Sequence, residues 1–417
     1  MEVRRDSYLN RLLEKRGNGL VKVVIGMRRC GKSYLLFKLF KERLLAEQVA
    51  EDHIIETSFD DYENQKFRDP EVFYPYVKER ISDKGQYYVL LDEVQLLGEF
   101  VPVLNGLARK SNVDVYVTGS NAKFLSSDVV TEFRGRGDVV HMYPLTFAEY
   151  MSVYPGDRLD GWRDYVLYGG LPLIFSFPTP EGKSAFLKSL FEETYIADII
   201  GRNNVRNREE FEELLNIVSS SVGSLTNPHK LSKTFQSVKN KTISQTTIKR
   251  YLDYLRDSFL VDSAIQYDVK GRKYIDAPLK YYFTDLGLRN ARLNFRQVEE
   301  THAMENVIFN ELKFRGLNVD VGVVPISEKS KDGKSVRKRL EIDFVCNQGS
   351  KRYYIQSAFA MYEEAKKQQE QRPLMRTGDA FKKIIISKEV LGTFYNDDGV
   401  LVMNLFDFLL NPDSLSF

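Results

Sequence analysis

The sequence predicts an α/β protein whose first domain is built on a parallel β-sheet, and three observations support this fold class. Apolar runs at residues 20–25, 87–91 and 113–118 have the length and composition of buried strands. Each run ends in glycine or polar residues, which is where ligands bind in sheets of this type. A helical apolar pattern follows the first run at residues 34–40.

The first strand leads into the pattern G-x-x-x-x-G-K-[ST] at residues 26–33. Its two glycines let the backbone curl until the N–H groups point at phosphates. Lys32 is expected to reach the β- and γ-phosphates, and the Ser33 hydroxyl to ligate Mg²⁺. The alternative is a glycine-bearing turn that binds no nucleotide. The predicted ATP-binding residues are Gly26, Met27, Arg28, Arg29, Cys30, Gly31, Lys32, Ser33, Tyr34 and Asp92.

The second strand runs directly into two carboxylates, Asp92 and Glu93. We expect Asp92 to hold Mg²⁺ together with Ser33, and Glu93 to act as the general base that polarises the attacking water. Acidic residues also end many strands that have no catalytic role. The position of this pair, about 60 residues after the glycine-rich loop, favours function.

The third strand ends in Gly119-Ser120-Asn121. In a parallel sheet, polar side chains here lie beside the carboxylates of the neighbouring strand. Asn121, or else Ser120, is therefore a candidate to orient the attacking water. The alternative is a turn that uses these residues for their backbone tolerance.

The composition indicates a globular protein without a membrane anchor. The 60 basic and 58 acidic residues give a net charge of +2, so a nucleic-acid partner requires a local basic surface. The two cysteines, Cys30 and Cys346, suggest neither a disulfide framework nor a metal cluster. No apolar run approaches the length of a membrane span or signal peptide. We therefore expect a cytoplasmic protein with no membrane partner.

The loop Gly-Met-Arg-Arg-Cys-Gly-Lys-Ser resembles the P-loop of a prokaryotic family that joins an AAA-type ATPase core to a C-terminal DUF4143 domain. The resemblance covers nearly the whole chain and implies an AAA+ P-loop parallel sheet with a helical lid, then a winged helix and a nuclease-like α/β domain. The implied boundaries are an AAA+ core at residues 1–160, a lid at 161–205, a winged helix (helix-turn-helix) at 206–275 and a DUF4143-like domain at 276–417.

The same resemblance implies ATP and Mg²⁺ as cofactors and a role for an arginine in the loop before the last core strand. Gly-Arg before Pro-Leu-Thr-Phe is similar to the family pattern, which selects Arg136 over Arg134. Such an arginine neutralises charge on the γ-phosphate of a neighbouring subunit, which requires a homo-oligomer. The alternative is an arginine that fixes the loop by salt bridges.

Residues 209–260 read as three helices with a polar turn after the first. The third has an apolar face, and its exposed side carries residue types that contact bases and phosphates. This order is typical of helix-turn-helix DNA-binding proteins. A lid extension or a protein-docking module has the same shape. The candidate DNA contacts are Gln245, Thr246, Lys249 and Arg250.

The C-terminal region resembles the PD-(D/E)xK nuclease fold. Glu305 on a helix and Asp343 on a strand would bind Mg²⁺, with Gln356 in the place of a third ligand. The lysine of that motif is replaced by Ala358, so we expect a degenerate site that serves binding rather than cleavage. Strands are predicted at 340–346, 353–358, 383–387 and 400–404, and the charged residues 327–339 are predicted to form a loop.

Together these features predict Mg²⁺-dependent ATP hydrolysis coupled to DNA binding or remodelling. Two alternatives stay open. One is a nucleotide-controlled scaffold or regulator that grips a protein, and the other is an ATP-dependent nuclease in defence.

Overall fold

The structure, a computed structural model, describes residues 2–119, 137–239, 242–296, 298–329, 335–361 and 364–416. The chain divides into two compact units. Unit 1 comprises Met1–Pro144, Leu171–Leu173 and Asp257–Phe259. Unit 2 comprises Leu145–Gly170, Ile174–Arg256 and Leu260–Phe417.

Unit 1 contains a five-stranded sheet in the order β2-β3-β4-β1-β5, and all its strands are parallel. The strand that precedes the glycine-rich loop is therefore separated by one strand, β4, from the strand that ends in the two carboxylates. β1, β3 and β4 are buried along their whole length, as expected for a sheet covered on both faces. The strands are β1 (Val21–Ile25), β2 (Ile54–Ser58), β3 (Tyr87–Asp92), β4 (Val113–Gly119) and β5 (Gly137–His141).

The helices of unit 1 connect these strands. Residues 32–46 form one helical segment in which α2 (Lys32–Tyr34) and α3 (Lys41–Ala46) flank a π-helical stretch, Leu35–Phe40. The other helices are α1 (Asp6–Glu14), α4 (Pro70–Arg80) and α5 (Phe100–Ala108).

The first part of unit 2 is helical. Thr146 begins α6 with a reciprocal capping box, because its hydroxyl accepts from the Glu149 N–H and the Glu149 carboxylate accepts from the Thr146 N–H. A π-helical stretch, Leu190–Ile196, continues α8 into α9. The helices are α6 (Phe147–Met151), α7 (Arg158–Tyr168), α8 (Pro180–Ser189), α9 (Ala197–Asn203), α10 (Arg208–Ser220), α11 (Pro228–Lys239) and α12 (Gln245–Asp257).

The second part of unit 2 is a mixed eight-stranded sheet in the order β12-β13-β11-β10-β9-β8-β6-β7. Its strands are β6 (Val261–Asp268), β7 (Lys273–Phe283), β8 (Asn318–Lys329), β9 (Ser335–Gln348), β10 (Lys351–Ala358), β11 (Lys382–Ser387), β12 (Phe394–Tyr395) and β13 (Leu401–Asn404). The helices are α13 (Leu286–Arg292), α14 (Glu300–Phe314), α15 (Glu364–Met375) and α16 (Leu405–Leu410).

The hairpin β6–β7 follows the three helices α10 to α12 and also forms one edge of this sheet. The expected boundary at residue 275 falls inside β7. The division of unit 2 into lid, winged helix and nuclease-like domain stays a prediction.

The expectation of a loop at residues 327–339 is wrong for the described part of that segment. β8 and β9 pair in antiparallel register from Ser327↔Arg337 to Lys329↔Ser335. Their side chains are largely exposed here, so the paired backbone sustains the strands without a buried apolar face. We call this exposed outer part of β8 and β9, residues 325–329 and 335–339, the hairpin arm.

The fold class is confirmed: the protein is α/β, with a parallel five-stranded sheet followed by a further α/β region. The predicted strands at 340–346, 353–358, 383–387 and 400–404 all lie in the eight-stranded sheet. Among the described residues, none of the helices has both the length and the apolar character needed to cross a membrane.

Candidate nucleotide-binding site

The glycine-rich loop after β1 has a backbone that requires its glycines. Gly26 has a φ of 151°, and a Cβ at this position would lie 2.1 Å from the carbonyl oxygen of Met142. Gly31 has a φ of 102° and Arg29 a φ of 63°, so two residues within three positions have left-handed backbone. The loop therefore curls tightly against the end of β5, which forms the cradle expected for phosphates.

Lys32 lies inside this loop rather than pointing to solvent. Its side chain is 5% exposed, and Nζ donates to the carbonyl oxygens of Gly26 at 3.1 Å and Met27 at 2.9 Å. The ammonium is therefore held at the centre of the curl, where it can meet a phosphate.

An arginine near the start of the chain supports the loop from behind, and no pattern in the sequence indicates this role. Arg5 is 2% exposed; its Nη1 donates to the Cys30 carbonyl oxygen at 3.2 Å and its Nη2 to that of Tyr143 at 2.7 Å. The Tyr143 N–H in turn donates to the Tyr8 hydroxyl at 2.9 Å. One buried guanidinium thus joins the glycine-rich loop to the segment after β5.

The two carboxylates at the end of β3 are held by a threonine of the adjacent strand β4. The Thr118 hydroxyl donates to Oδ1 of Asp92 and accepts from the Glu93 N–H at 3.1 Å. Glu93 has a φ of 50°, and its Oε2 accepts from Nε2 of Gln95. The left-handed turn at Glu93 separates its side chain from the strand, while Asp92 stays 4% exposed.

Asp92 also faces the glycine-rich loop. The hydroxyl of Ser33 favours the charged form of this carboxylate, and the Ser58 hydroxyl donates to its Oδ2 at 3.5 Å. Burial raises the pKa of Asp92, and the nearby charges of Glu93 and Asp60 raise it further, whereas the hydroxyls of Thr118 and Ser33 lower it. A buried carboxylate with acidic neighbours favours a bound cation.

The donor set fits a nucleotide and Mg²⁺. The cradle that a Cβ at Gly26 would fill suits phosphate oxygens, and a hydroxyl and a carboxylate, Ser33 and Asp92, suit Mg²⁺. Mg²⁺ at such sites takes one or two carboxylates and completes its shell with phosphates and water. Two predicted residues, Asn121 and Arg136, lie outside the described residues.

In unit 2, the predicted nuclease-like carboxylates surround a lysine that the sequence did not indicate. Lys280 on β7 is 3% exposed. Its Nζ lies 2.8 Å from Oε1 of Glu305, 2.8 Å from Oε1 of Glu341 and 3.5 Å from Oδ1 of Asp343. Burial opposes the charged form of Lys280, but the three carboxylates outweigh it and raise its pKa. The ammonium therefore occupies the position between the carboxylates that a metal ion would need.

Gln356 makes other contacts. Its Oε1 accepts from the Asp343 backbone N–H at 3.4 Å, and its Nε2 donates to Oε2 of Glu370 at 3.0 Å. The structure thus brings Glu305 and Asp343 together around Lys280 and directs the Gln356 amide to a different carboxylate. Within the described ranges, no three His, Cys, Asp or Glu side chains are grouped to hold a metal ion.

The predicted DNA contacts lie together on α12. Gln245, Thr246, Lys249 and Arg250 are exposed, whereas Ile248, Tyr251, Leu252 and Leu255 are buried. Gln245 Nε2 lies 3.2 Å from Nδ1 of His229 on α11. The exposed face at the start of α12 therefore carries two amide or hydroxyl side chains and two cations.

The turn after α7 contacts the start of α13 through Asp285. Oδ2 of Asp285 accepts from the Gly170 N–H at 2.8 Å, and its Oδ1 accepts from the Leu288 N–H at 3.0 Å. A Cβ at Gly169, whose φ is 76°, would lie 2.2 Å from Oδ1 of Asp285. These contacts of Asp285 stabilise the junction of α7 and α13.

Two family models match the chain. One, described as AAA domain, matches residues 18–151, and the other, described as a domain of unknown function (DUF8612), matches residues 159–299. The predicted AAA-type core is confirmed. The predicted DUF4143 domain is wrong: the second matching family is DUF8612, and its match begins just after the AAA domain instead of covering the C-terminal region.

Three similar proteins illustrate how far the likeness extends. An uncharacterized protein of Haemophilus influenzae is 32% identical over 417 residues, which covers 98% of each chain. An uncharacterized protein of Methanocaldococcus jannaschii is 25% identical over 399 residues, 91% of this chain and 83% of that protein. The structure of the Aeropyrum pernix ORC1 protein in complex with DNA has 14% identity and a TM-score of 0.29, and covers 70% of this chain and 93% of that chain.

Proposed function

We propose that this chain, which belongs to the same family as its relative from Haemophilus influenzae and contains an AAA domain, is a Mg²⁺-dependent ATPase. The bond that it cleaves is the β–γ phosphoanhydride of ATP. One observation carries this proposal. The Thr118 hydroxyl donates to Asp92 and accepts from the Glu93 N–H, and the Ser33 hydroxyl of the glycine-rich loop lowers the pKa of the same Asp92 carboxylate. The glycine-rich loop and the candidate general base thus both act on Asp92.

In this proposal each residue has a defined task. Lys32 and the loop N–H groups bind the β- and γ-phosphates. Ser33 and Asp92 would hold Mg²⁺, which supplies neutralisation of the negative charge on the phosphates. Glu93 accepts the proton of the attacking water, whose nucleophilic oxygen is directed at the γ-phosphorus. We assign Asn121 to orienting that water.

We further propose that the active form is a homo-oligomer in which Arg136 of one subunit acts on the nucleotide of its neighbour. A guanidinium fits this task because it stays charged and forms two parallel hydrogen bonds to phosphate oxygens. If this proposal holds, Arg136→Ala lowers ATP turnover without preventing ATP binding. A mixture of Arg136→Ala and Glu93→Gln proteins then recovers activity, because each subunit type supplies what the other lacks.

We propose DNA as the partner that hydrolysis acts on. The support is the exposed face of α12, where Gln245 and Thr246 have the chemistry of base contacts and Lys249 and Arg250 that of phosphate contacts. The pocket of acidic side chains around Lys280 does not favour the nuclease alternative, because a buried ammonium already compensates these carboxylates.

The test is the steady-state ATPase rate of the purified protein without DNA and with duplex, single-stranded or four-way-junction DNA at two salt concentrations. We expect at least one DNA form to raise the rate several-fold and higher salt to remove the effect, because phosphate contacts release counterions. Lys249→Gln with Arg250→Gln should abolish the stimulation and leave the basal rate unchanged. A basal ATPase rate that no DNA form alters would contradict the DNA assignment and favour a protein-binding regulator.

A further inference from the structure

An open groove of about 600 Å³ in unit 2 is lined by a concentration of positive charge. Five of its eight lining residues are cationic and none is acidic. They come from the turn between β6 and β7, from the hairpin arm and from the residue that follows α15: Lys270, Arg337, Lys338, Arg339 and Arg376. We call these five residues and the space between them the basic groove. In a chain with 60 basic and 58 acidic residues, such a local excess needs an explanation.

Within the part of the chain that the structure describes, most of this charge has no acidic partner. Lys338 pairs with Glu328 at 2.9 Å, and Glu328 also pairs with Arg372. Among the described residues, Arg337, Arg339 and Arg376 have no carboxylate within 4.0 Å. All three are exposed. Exposed arginines that line one groove without an acidic partner among the described residues favour an anionic ligand.

A second open space of about 410 Å³ continues the basic groove, since both include Pro325 and Arg339. It adds Lys273 and the ring of Tyr274, which is 60% exposed. Its one acidic residue, Asp268, accepts the Gly271 N–H at 2.8 Å and so holds the β6–β7 turn. An exposed aromatic ring beside cations is the combination on which nucleic-acid bases stack.

From these observations we infer that the basic groove binds the phosphate backbone of a nucleic acid. Pockets for small molecules are concave and mostly apolar, whereas this groove is open and only Pro325 and Ile326 among its lining residues are apolar. Arg337 and Arg339 are two positions apart on one strand, so their side chains leave the same face about 7 Å apart. Regularly spaced guanidinium groups along an extended strand match a ligand with repeated phosphates.

The inference adds a second contact surface to the proposed DNA-binding function, and it does not depend on α12 or on ATP hydrolysis. The chemistry of the groove is contact with phosphates and stacking on bases, so we expect it to bind without a preference for base sequence. Its contribution to affinity should therefore be electrostatic and should fall steeply with salt.

The test measures binding of the protein to a fluorescein-labelled DNA duplex and to a labelled single strand by anisotropy, without nucleotide, across about 50–200 mM salt. One variant carries Arg337→Gln, Arg339→Gln and Arg376→Gln. A matched control removes three exposed charges that line neither space, through Arg163→Gln, Arg296→Gln and Lys351→Gln. A third variant carries Lys249→Gln and Arg250→Gln on α12. Circular dichroism of each variant checks that the fold is retained.

We expect the groove variant to reduce the slope of log Kd against log salt by about 2–3, since each lost phosphate contact removes about 0.9. The control should keep the wild-type slope, and basal ATPase activity should be unchanged in both. If only the α12 variant loses binding, the basic groove is not a nucleic-acid contact and the inference is overturned, whereas the proposed function stands. If the wild type binds neither the duplex nor the single strand, both DNA assignments are overturned. If polyglutamate competes as well as unlabelled duplex does, the groove is an acidic-protein surface and the inference is wrong.

Discussion

The hydroxyl of Thr118 donates to the carboxylate of Asp92, and its oxygen also accepts the N–H of Glu93. Thr118 is fully buried on β4, and the adjacent residue pairs with β3 in parallel register at Leu91↔Val117. Because one hydroxyl contacts both acidic residues, it fixes the carboxylate of one and the backbone of the other. We regard Thr118 as a positioning residue for the proposed metal ligand and general base.

We predict that Thr118→Val lowers kcat for ATP hydrolysis by about 10- to 100-fold, because a hydrogen bond to a charged group contributes about 1.5–3 kcal/mol. The Kd for ATP should change little, since Lys32 and the loop are untouched. Thr118→Ser keeps the hydroxyl and should restore most of the activity. Equal loss in the valine and serine variants would show that the hydroxyl does not account for the effect and would contradict the positioning role.

Arg5→Ala should destabilise unit 1 and weaken ATP binding together. The substitution leaves the buried carbonyl groups of Cys30 and Tyr143 without their guanidinium donor, and two hydrogen bonds from a charged donor contribute about 3–5 kcal/mol. Thermal unfolding with and without ATP measures both effects. Arg4→Ala changes an exposed neighbour and serves as the control. An Arg5→Ala protein as stable as this control would refute the supporting role.

Lys280→Met should destabilise unit 2 by about 3–5 kcal/mol near neutral pH, because it leaves three carboxylates close together without their buried cation. Lys273→Met alters an exposed lysine of the same strand and should have little effect. Urea titrations of the wild type and both variants give the free energies of unfolding that test this prediction. Unchanged stability in Lys280→Met would show that the cluster does not need its ammonium, and would reopen the metal-binding interpretation.

The pH dependence of stability should contain a component from Asp343. Burial, with the Glu305 charge as the next cause, raises the pKa of Asp343 to about 7, above the value of about 3.9 for an unfolded aspartate. The folded state therefore binds the proton more tightly, and this stabilising contribution, complete below about pH 4, is lost as pH rises towards 7.

Asp343→Asn should remove this component. We expect the thermal midpoint of the wild type minus that of Asp343→Asn to fall as the pH is raised from about 4 to about 7. Asp413→Asn, at an exposed position, provides the comparison. If the thermal midpoint of the wild type minus that of Asp343→Asn instead rose with pH, the result would contradict the raised pKa of Asp343.

The site features that could be predicted are those encoded within a few consecutive residues. The strand, loop and helix around Lys32 and the carboxylates after β3 each form a short pattern whose geometry follows from local backbone requirements. Their neighbours were not predictable in this way. Arg5 reaches the loop from 25 positions away in sequence, and nothing in its local sequence distinguishes it from Arg4.

In unit 2, too, contacts between residues distant in the sequence could not be predicted. Lys280 contacts Glu305 and Asp343, which are 25 and 63 positions away. The sequence pattern placed the missing lysine at Ala358, whereas the structure supplies an ammonium from a different strand, β7. The charged residues 327–339 predict a loop, but strand pairing through backbone hydrogen bonds does not require apolar side chains.

The measurement that tests the central proposal most directly is ATP binding and multiple-turnover hydrolysis by Glu93→Gln beside the wild type. Glu99→Gln is the matched control, because Glu99 is an exposed glutamate of the same segment and also has a positive φ, 44°. We predict that Glu93→Gln binds ATP with near-wild-type affinity and loses turnover by at least about 100-fold, the scale of general-base catalysis. Glu99→Gln should hydrolyse ATP normally. Wild-type turnover in Glu93→Gln would contradict the assignment of the general base.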